Sequence, residues 1–275
     1  MELRDRTAIV TGAGSGIGRE LARTFAREGA TVVCCGRTLS RLEETVQLIA
    51  AEGGVATAIR VDVTDWARVE AMVRQVLASY GGIDLLFNNA GSFQSVGPVW
   101  EADPELWWRD VSVNLRGTML CCRAVLPSMI ERDAGVIFTM DGGGGAGGPN
   151  VGGSAYGCSK AAIVRFTEGL ARELERIGSA VLAFCMNPGF VRTPMTEGLI
   201  ATPEKRTWQQ HVPRLMGSAR EVPPDACAKA TLQLLRIAGP ELSGRMFYVD
   251  TDFAEIDAKR EVIAREDLLV MRRKA

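Results

Sequence analysis

Short apolar runs alternate with longer helical patterns along almost the whole chain, and this rhythm constrains the fold more than any other feature. "TAIVT" (7–11), "TVVCC" (31–35), "ATAIRV" (56–61), "DLLFN" (84–88), "GVIFTM" (135–140) and "AVLAFCMN" (180–187) are apolar runs bounded by turn residues. Such runs are what parallel strands covered on both faces require. Helical spacing fills 17–28, 40–51, 65–80, roughly 104–130 and 155–177, and a helix near 223–237 precedes a last strand, "RMFYV" (245–249). The alternation predicts an α/β fold with one doubly wound parallel sheet of about seven strands and helices on both faces. With no linker and no repeat, 1–275 reads as a single domain.

Two segments break the rhythm, and both follow strand C-termini, where open α/β sheets bind ligands. One is the glycine-rich stretch 142–153. The other, 190–222, is rich in Pro, Met and Thr and is expected to be a substrate lid. Met195, Leu199, Ile200, Trp208 and Met216 would give it an apolar underside. Phe93, Trp100, Trp107 and Trp108 are candidates for the same neighbourhood or, equally, for core or a subunit interface. The tail 254–275 is highly charged with an apolar stripe, and reads as a helix for subunit contact or a loosely held end.

Composition narrows the function by exclusion. A net charge of −1 gives no electrostatic reason to expect nucleic acid or an anionic membrane as partner. No apolar run approaches the roughly 20 residues needed to cross a bilayer, and "MELRDRTAIV" carries no signal-peptide pattern. Seven cysteines, four of them in the adjacent pairs Cys34-Cys35 and Cys121-Cys122, fit neither a disulfide framework nor a metal site. They read as reduced, mostly buried residues of a cytoplasmic protein. The single histidine, His211, is expected at the surface, and no metal is expected.

The chemistry begins at "TGAGSGIG" (11–18), between the first strand and the first helix. Gly12, Gly14, Gly16 and Gly18 permit a tight turn and close backbone approach to a diphosphate, while Ser15 and Ile17 open a helix whose free N–H groups and positive dipole end face it. This is the fingerprint of a Rossmann-type dinucleotide site. The second strand ends in Gly36 and Arg37, followed by Thr38, Ser40 and Arg41, where an acidic residue would suit a free ribose 2′-hydroxyl. A guanidinium with hydroxyls nearby suits a 2′-phosphate, so NADP(H) is expected over NAD(H). Tyr156 and Lys160 lie four apart at a helix start and share one face. A phenol titrates near 10 when free, and an ammonium and an oxidised nicotinamide would each lower that value.

Together with "VDVTD" (61–65), "NNAG" (88–91), "VNLRG" (113–117), "YGCSK" (156–160) and "NPGFVRTPM" (187–195), these residues resemble the short-chain dehydrogenase/reductase family from about Thr7 to Val249. The resemblance implies an NAD(P)-dependent oxidoreductase acting on a small alcohol or ketone, often a homodimer or homotetramer. It implies that Asp62 and Val63 flank the adenine and that Asn89, Ala90 and Gly91 line the cofactor. It further implies that Asn114 holds a water relaying protons from Lys160, which itself holds the nicotinamide ribose. Tyr156 would be the acid/base, and Pro188, Gly189, Val191 and Thr193 would meet the nicotinamide end.

The sequence departs from the family at one point. A serine is expected after the fifth strand, yet Asp141, Gly142 and Gly143 occupy the candidate positions. The loop is similar to the "MDG" loops of chlorophyll b reductase-like members. Three replacements are open: a backbone N–H of the glycine run, a protonated Asp141, or Ser154, which otherwise would cap the helix. The leading expectation is therefore an NADPH-dependent carbonyl reductase. The alternative is a dinucleotide-binding sensor or structural subunit with little turnover, because the serine is missing.

Overall fold

The computed structural model describes residues 1–272. Its centre is β1 (Thr7–Thr11), buried along its length, with parallel β2 (Thr31–Gly36) on one side and parallel β4 (Leu85–Asn88) on the other. Beyond β2 lies β3 (Val55–Arg60), and beyond β4 lie β5 (Val136–Met140), β6 (Leu182–Asn187) and β7 (Met246–Tyr248). The seven strands run β3-β2-β1-β4-β5-β6-β7, all parallel. The order reverses between β1 and β4, and a crevice opens outside the carboxyl ends of strands at such a reversal.

Alternation of side chains along β1 sends Ala8 and Val10 to one face and Ile9 to the other. The first face is covered by α1 (Gly16–Arg27), α2 (Leu39–Ala51) and α10 (Ala226–Ile237), through Leu21, Phe25, Leu42, Ile49 and Leu234. The second is covered by α3 (Trp66–Tyr80), α5 (Gly117–Glu131) and α6 (Ser154–Arg176), through Val69, Val76, Val125 and Leu174. On the first face a row of phenylalanines crosses the sheet: Phe25–Phe87–Phe138–Phe184–Phe247, with ring centroids 6.2, 5.2, 5.6 and 6.2 Å apart. Phe87, Phe138 and Phe184 are direct register partners. A one-residue slip would turn a ring to the opposite face, so the row fixes where β4, β5 and β6 end. Asn89, Asp141 and Asn187 consequently emerge along one edge.

The structure adds detail to three sequence expectations. β3 is an exposed edge strand rather than one covered on both faces, which its alternating small residues "VATAI" allow. The helix expected over 104–130 is present without a break but contains a π-helical turn at Ser112–Arg116, between α4 (Pro104–Val111) and α5. That turn carries one extra residue per hydrogen-bonded loop and rotates Val113 and Asn114 into the interior. The tail is docked on its own chain as far as it is described. After α11 (Phe253–Ala258) and α12 (Arg260–Arg265), Leu269 O accepts the Met246 N–H at 2.9 Å, and Arg272 pairs with Glu168. The part of the expected tail at 273–275 lies outside the described residues. No described helix is long and apolar enough to cross a membrane.

Candidate active site

The glycine turn is built by contact as well as by conformation. A Cβ on Gly18 would lie 2.3 Å from the Gly12 carbonyl oxygen, and Gly12 and Gly16 have φ of +68° and +53°. Thr11 Oγ1 accepts the N–H groups of Asn89 and Ala90, each at 3.0 Å, and Asn89 Nδ2 donates to Thr11 O at 2.9 Å. The ends of β1 and β4 are thereby stapled across the sheet's reversal point. Ser15 precedes α1 and makes no side-chain capping bond, which leaves its hydroxyl for a ligand.

From this turn one cleft, with about 1030 Å³ of empty space, reaches the Tyr-Lys pair. It is lined by Gly12, Ser15, Gly16, Ile17 and Gly18, by Arg37, Asp62 and Val63, and by Asn89, Ala90 and Gly91. At its far end stand Asp141, Tyr156, Lys160, Pro188 and Thr193. A bare-backbone cradle at a helix N-terminus, a cation after β2 and an elongated cavity fit a dinucleotide phosphate. Six expected residues stand back from the cleft wall, of which Gly142 lines a neighbouring cavity. Gly14 packs against Arg41, Thr38 precedes α2, Gly189 turns the chain at φ +67°, Val191 is buried, and Asn114 lies behind the wall.

At the catalytic end, the Tyr156 ring stacks on Phe93 with centroids 4.3 Å apart and planes 8° from parallel. Lys160 Nζ lies 5.3 Å from the Tyr156 ring centroid and donates to Met140 O at 2.8 Å. Burial governs the titration of all three ionisable groups here. It pulls Lys160 down to about 8 despite the nearby Asp141 carboxylate, and pushes the Asp141 carboxyl up despite Lys160. Tyr156 is pushed well above a free phenol, by burial first and then by the charges of Asp141 and Asp110. Lys160 is not among the groups that shift Tyr156 in this structure, where burial dominates.

Residues 6–204 match the short chain dehydrogenase family. The chain is 39% identical over 235 residues to a short chain dehydrogenase of Pseudocercospora fijiensis, covering 82% of this chain and 75% of that one. The chain belongs to the short-chain dehydrogenase/reductase family. A Thauera aromatica protein, the (2S)-[(R)-hydroxy(phenyl)methyl]succinyl-CoA dehydrogenase subunit BbsD, is 33% identical over 249 residues, covering 90% of this chain and 96% of that one. Among solved structures, a variant of actinorhodin polyketide ketoreductase with NADPH superposes with a TM-score of 0.78 at 31% identity, covering 89% of this chain and 95% of that one. A metagenomic short-chain oxidoreductase in complex with NADP gives 0.70 at 29% identity, covering 87% and 94%. This short-chain dehydrogenase/reductase is an NAD(P)-dependent oxidoreductase.

Gly142 is one of the three positions where a serine is expected in relatives, and the structure leaves no room there for a side chain. A Cβ on Gly142 would lie 2.4 Å from Tyr156 Oη, so the phenol occupies the space a side chain would need. Gly142→Ser is accordingly expected to lower kcat at least about tenfold rather than improve the site, because relieving such overlap costs on the order of 1–3 kcal/mol. Steady-state assays should show Gly142→Ala failing to a similar degree. Ser154 is not among the residues lining the cleft; its Oγ accepts the Trp107 indole N–H at 3.0 Å, and it makes no cap. Asp141 is turned into its own loop. Its Oδ2 accepts from Asn187 Nδ2 at 2.8 Å, while Oδ1 lies where a Cβ on Gly145 would be and is buried without a hydrogen-bond partner.

Expected Asn114 is held by groups that carried no sequence signal by themselves. Asn114 Oδ1 accepts the Ser92 N–H at 2.7 Å, and Nδ2 donates to Ser92 O and Ser159 Oγ, both at 2.9 Å. Fully buried Asp110 accepts from Ser92 Oγ and from the N–H groups of Gln94 and Ser95 at 2.5–2.8 Å. These bonds hold the loop that carries Phe93 against Tyr156. In the lid region stand α7 (Pro194–Gly198), α8 (Pro203–Trp208) and α9 (His211–Leu215). Leu199 and Val212 pack with Phe93 beside Tyr156, and His211 is exposed as expected. Trp100 and Trp108 are 80% and 61% exposed, so they are not core.

Proposed function

We propose that this chain is an NADP(H)-preferring carbonyl reductase, reversible as a secondary-alcohol dehydrogenase, with Tyr156 as acid/base. The observation that carries the proposal is the single cleft in which the glycine turn and Arg37 share walls with Tyr156 and Lys160. The nicotinamide, when bound, supplies or accepts the hydride. Tyr156 Oη gives its proton to the carbonyl oxygen in reduction and takes it back in oxidation. A phenol held above its free value is protonated at neutral pH, the form that reduction needs. Lys160 orients the ribose and brings positive charge near the phenol, and Asn114 acts as a positioning residue through Ser92 and Ser159. With Ser154 engaged and Asp141 facing its loop, we assign the second contact to the substrate oxygen to backbone N–H groups of the glycine run. The segment 190–222 forms the lid.

The test is a phenol absorbance titration of the protein with and without NADP⁺, subtracting Tyr156→Phe. A Tyr156 pKa that falls when the oxidised cofactor binds supports the acid/base role. A phenol indifferent to the cofactor, together with no turnover of any carbonyl, would favour a dinucleotide-binding protein lacking turnover. The cofactor preference has its own test. Arg37 is exposed at the end of β2 and lines the cleft. A charge-assisted bond to a 2′-phosphate contributes about 1.5–3 kcal/mol, so Arg37→Gln should weaken NADPH binding roughly ten- to a hundredfold and leave NADH nearly unchanged. Fluorescence titration with both cofactors reads this directly.

A further inference from the structure

Behind the glycine loop lies a second cavity, with about 1380 Å³ of empty space, part of it open to solvent. Gly142 lines it and also touches the Tyr156 hydroxyl, so the cavity begins beside the reacting group. Its walls are the backbone of the glycine run, the amides of Asn150 and Gln210, the Tyr248 phenol, His211 and Arg214. Gln209 ties the lid to the loop, donating to Val151 O at 3.1 Å, so the two walls form one unit. No Asp or Glu is among the lining residues. Arg214 has no ion-pair or hydrogen-bond partner through its side chain among the described residues. Two other arginines of the segment 190–222 are committed: Arg192 pairs with Glu221 at 3.3 Å, and Arg206 donates to Ile200 O at 2.6 Å. A cavity with one uncommitted guanidinium, several amide donors and no opposing carboxylate selects for negative charge.

We infer that this cavity binds the anionic end, a carboxylate or a phosphate, of the molecule whose carbonyl meets Tyr156. That the molecule is a carbonyl substrate rests on the proposed reductase function; that the cavity takes an anion rests on Arg214 and its surroundings. Calorimetric titration of the NADP⁺-saturated protein tests the inference without turnover, using phenylacetate, phenyl phosphate and the neutral phenylacetamide. Saturating cofactor keeps the anions out of the phosphate cradle. At least one anion should bind about tenfold more tightly than the amide, and its affinity should fall as salt is added. Arg214→Gln should erase that advantage, and Arg214→Lys should keep part of it. The order of phenylacetate and phenyl phosphate identifies which anion the site prefers. The inference is overturned if neither anion outbinds the amide, or if the advantage survives in Arg214→Gln. Anion binding that depends on Arg214, alongside no NADPH oxidation with any carbonyl, would sink the reductase reading and leave the anion site standing.

Discussion

Tyr156→Phe is expected to lower kcat for carbonyl reduction about a thousandfold, within the 10²–10⁴ range that a positioned general acid contributes. The substitution removes one oxygen and little else. The ring keeps its stacking partner Phe93, and no hydrogen bond within the protein is lost among the described residues. Cofactor affinity should therefore change less than about threefold, measured by fluorescence titration beside the steady-state assay. A variant that retains a tenth of the activity would require another proton source. A variant that also fails to bind cofactor would mean that the tyrosine is structural.

Lys160→Met is expected to abolish most activity and yet raise the stability of the cofactor-free protein. Burial holds Lys160 at about 8 rather than 10.5. A fold that favours the neutral amine is destabilised by its charge at every pH below about 8. That cost shrinks as pH rises towards 10.5 and is gone above it. At neutral pH the charge costs about 3 kcal/mol. Leaving the Met140 carbonyl without its donor returns roughly 1 kcal/mol, for a net gain of about 2 kcal/mol. In a domain of this size that is a Tm higher by about 5 °C. Thermal unfolding at pH 7 and above pH 10.5 checks the origin: at the higher pH the charge cost is gone and the variant should fall about 1 kcal/mol below wild type, the cost of the unpaired Met140 carbonyl. A gap of equal size at both would assign the effect to packing instead.

Much of this was legible in the sequence because period and spacing carry it. Continuous apolar runs mark strands covered on both faces, and a glycine turn between strand and helix marks the dinucleotide site. The same residues form one cleft with Tyr156 and Lys160 in the structure. The π-helical turn was not legible, since "DVSVNLRG" has the spacing of an ordinary helix; long-range bonds from Asn114 to Ser92 accompany the extra residue. The commitments of Ser154 and Lys160 depend on Trp107 and Met140, whose proximity is set by the fold. Arg214 carried no motif at all, and its importance comes from what does not surround it.

The docking of the tail reaches back into how the protein is made. Because Leu269 bonds the backbone of β7, and Tyr248 at the end of that strand lines the second cavity, the wall facing the proposed anion is completed by residues synthesised well after the dinucleotide half. The dinucleotide half, from β1 to Asn89, has all its strands long before. A nascent chain thus acquires the strands that frame its cofactor cleft before those that complete the far wall of the second cavity.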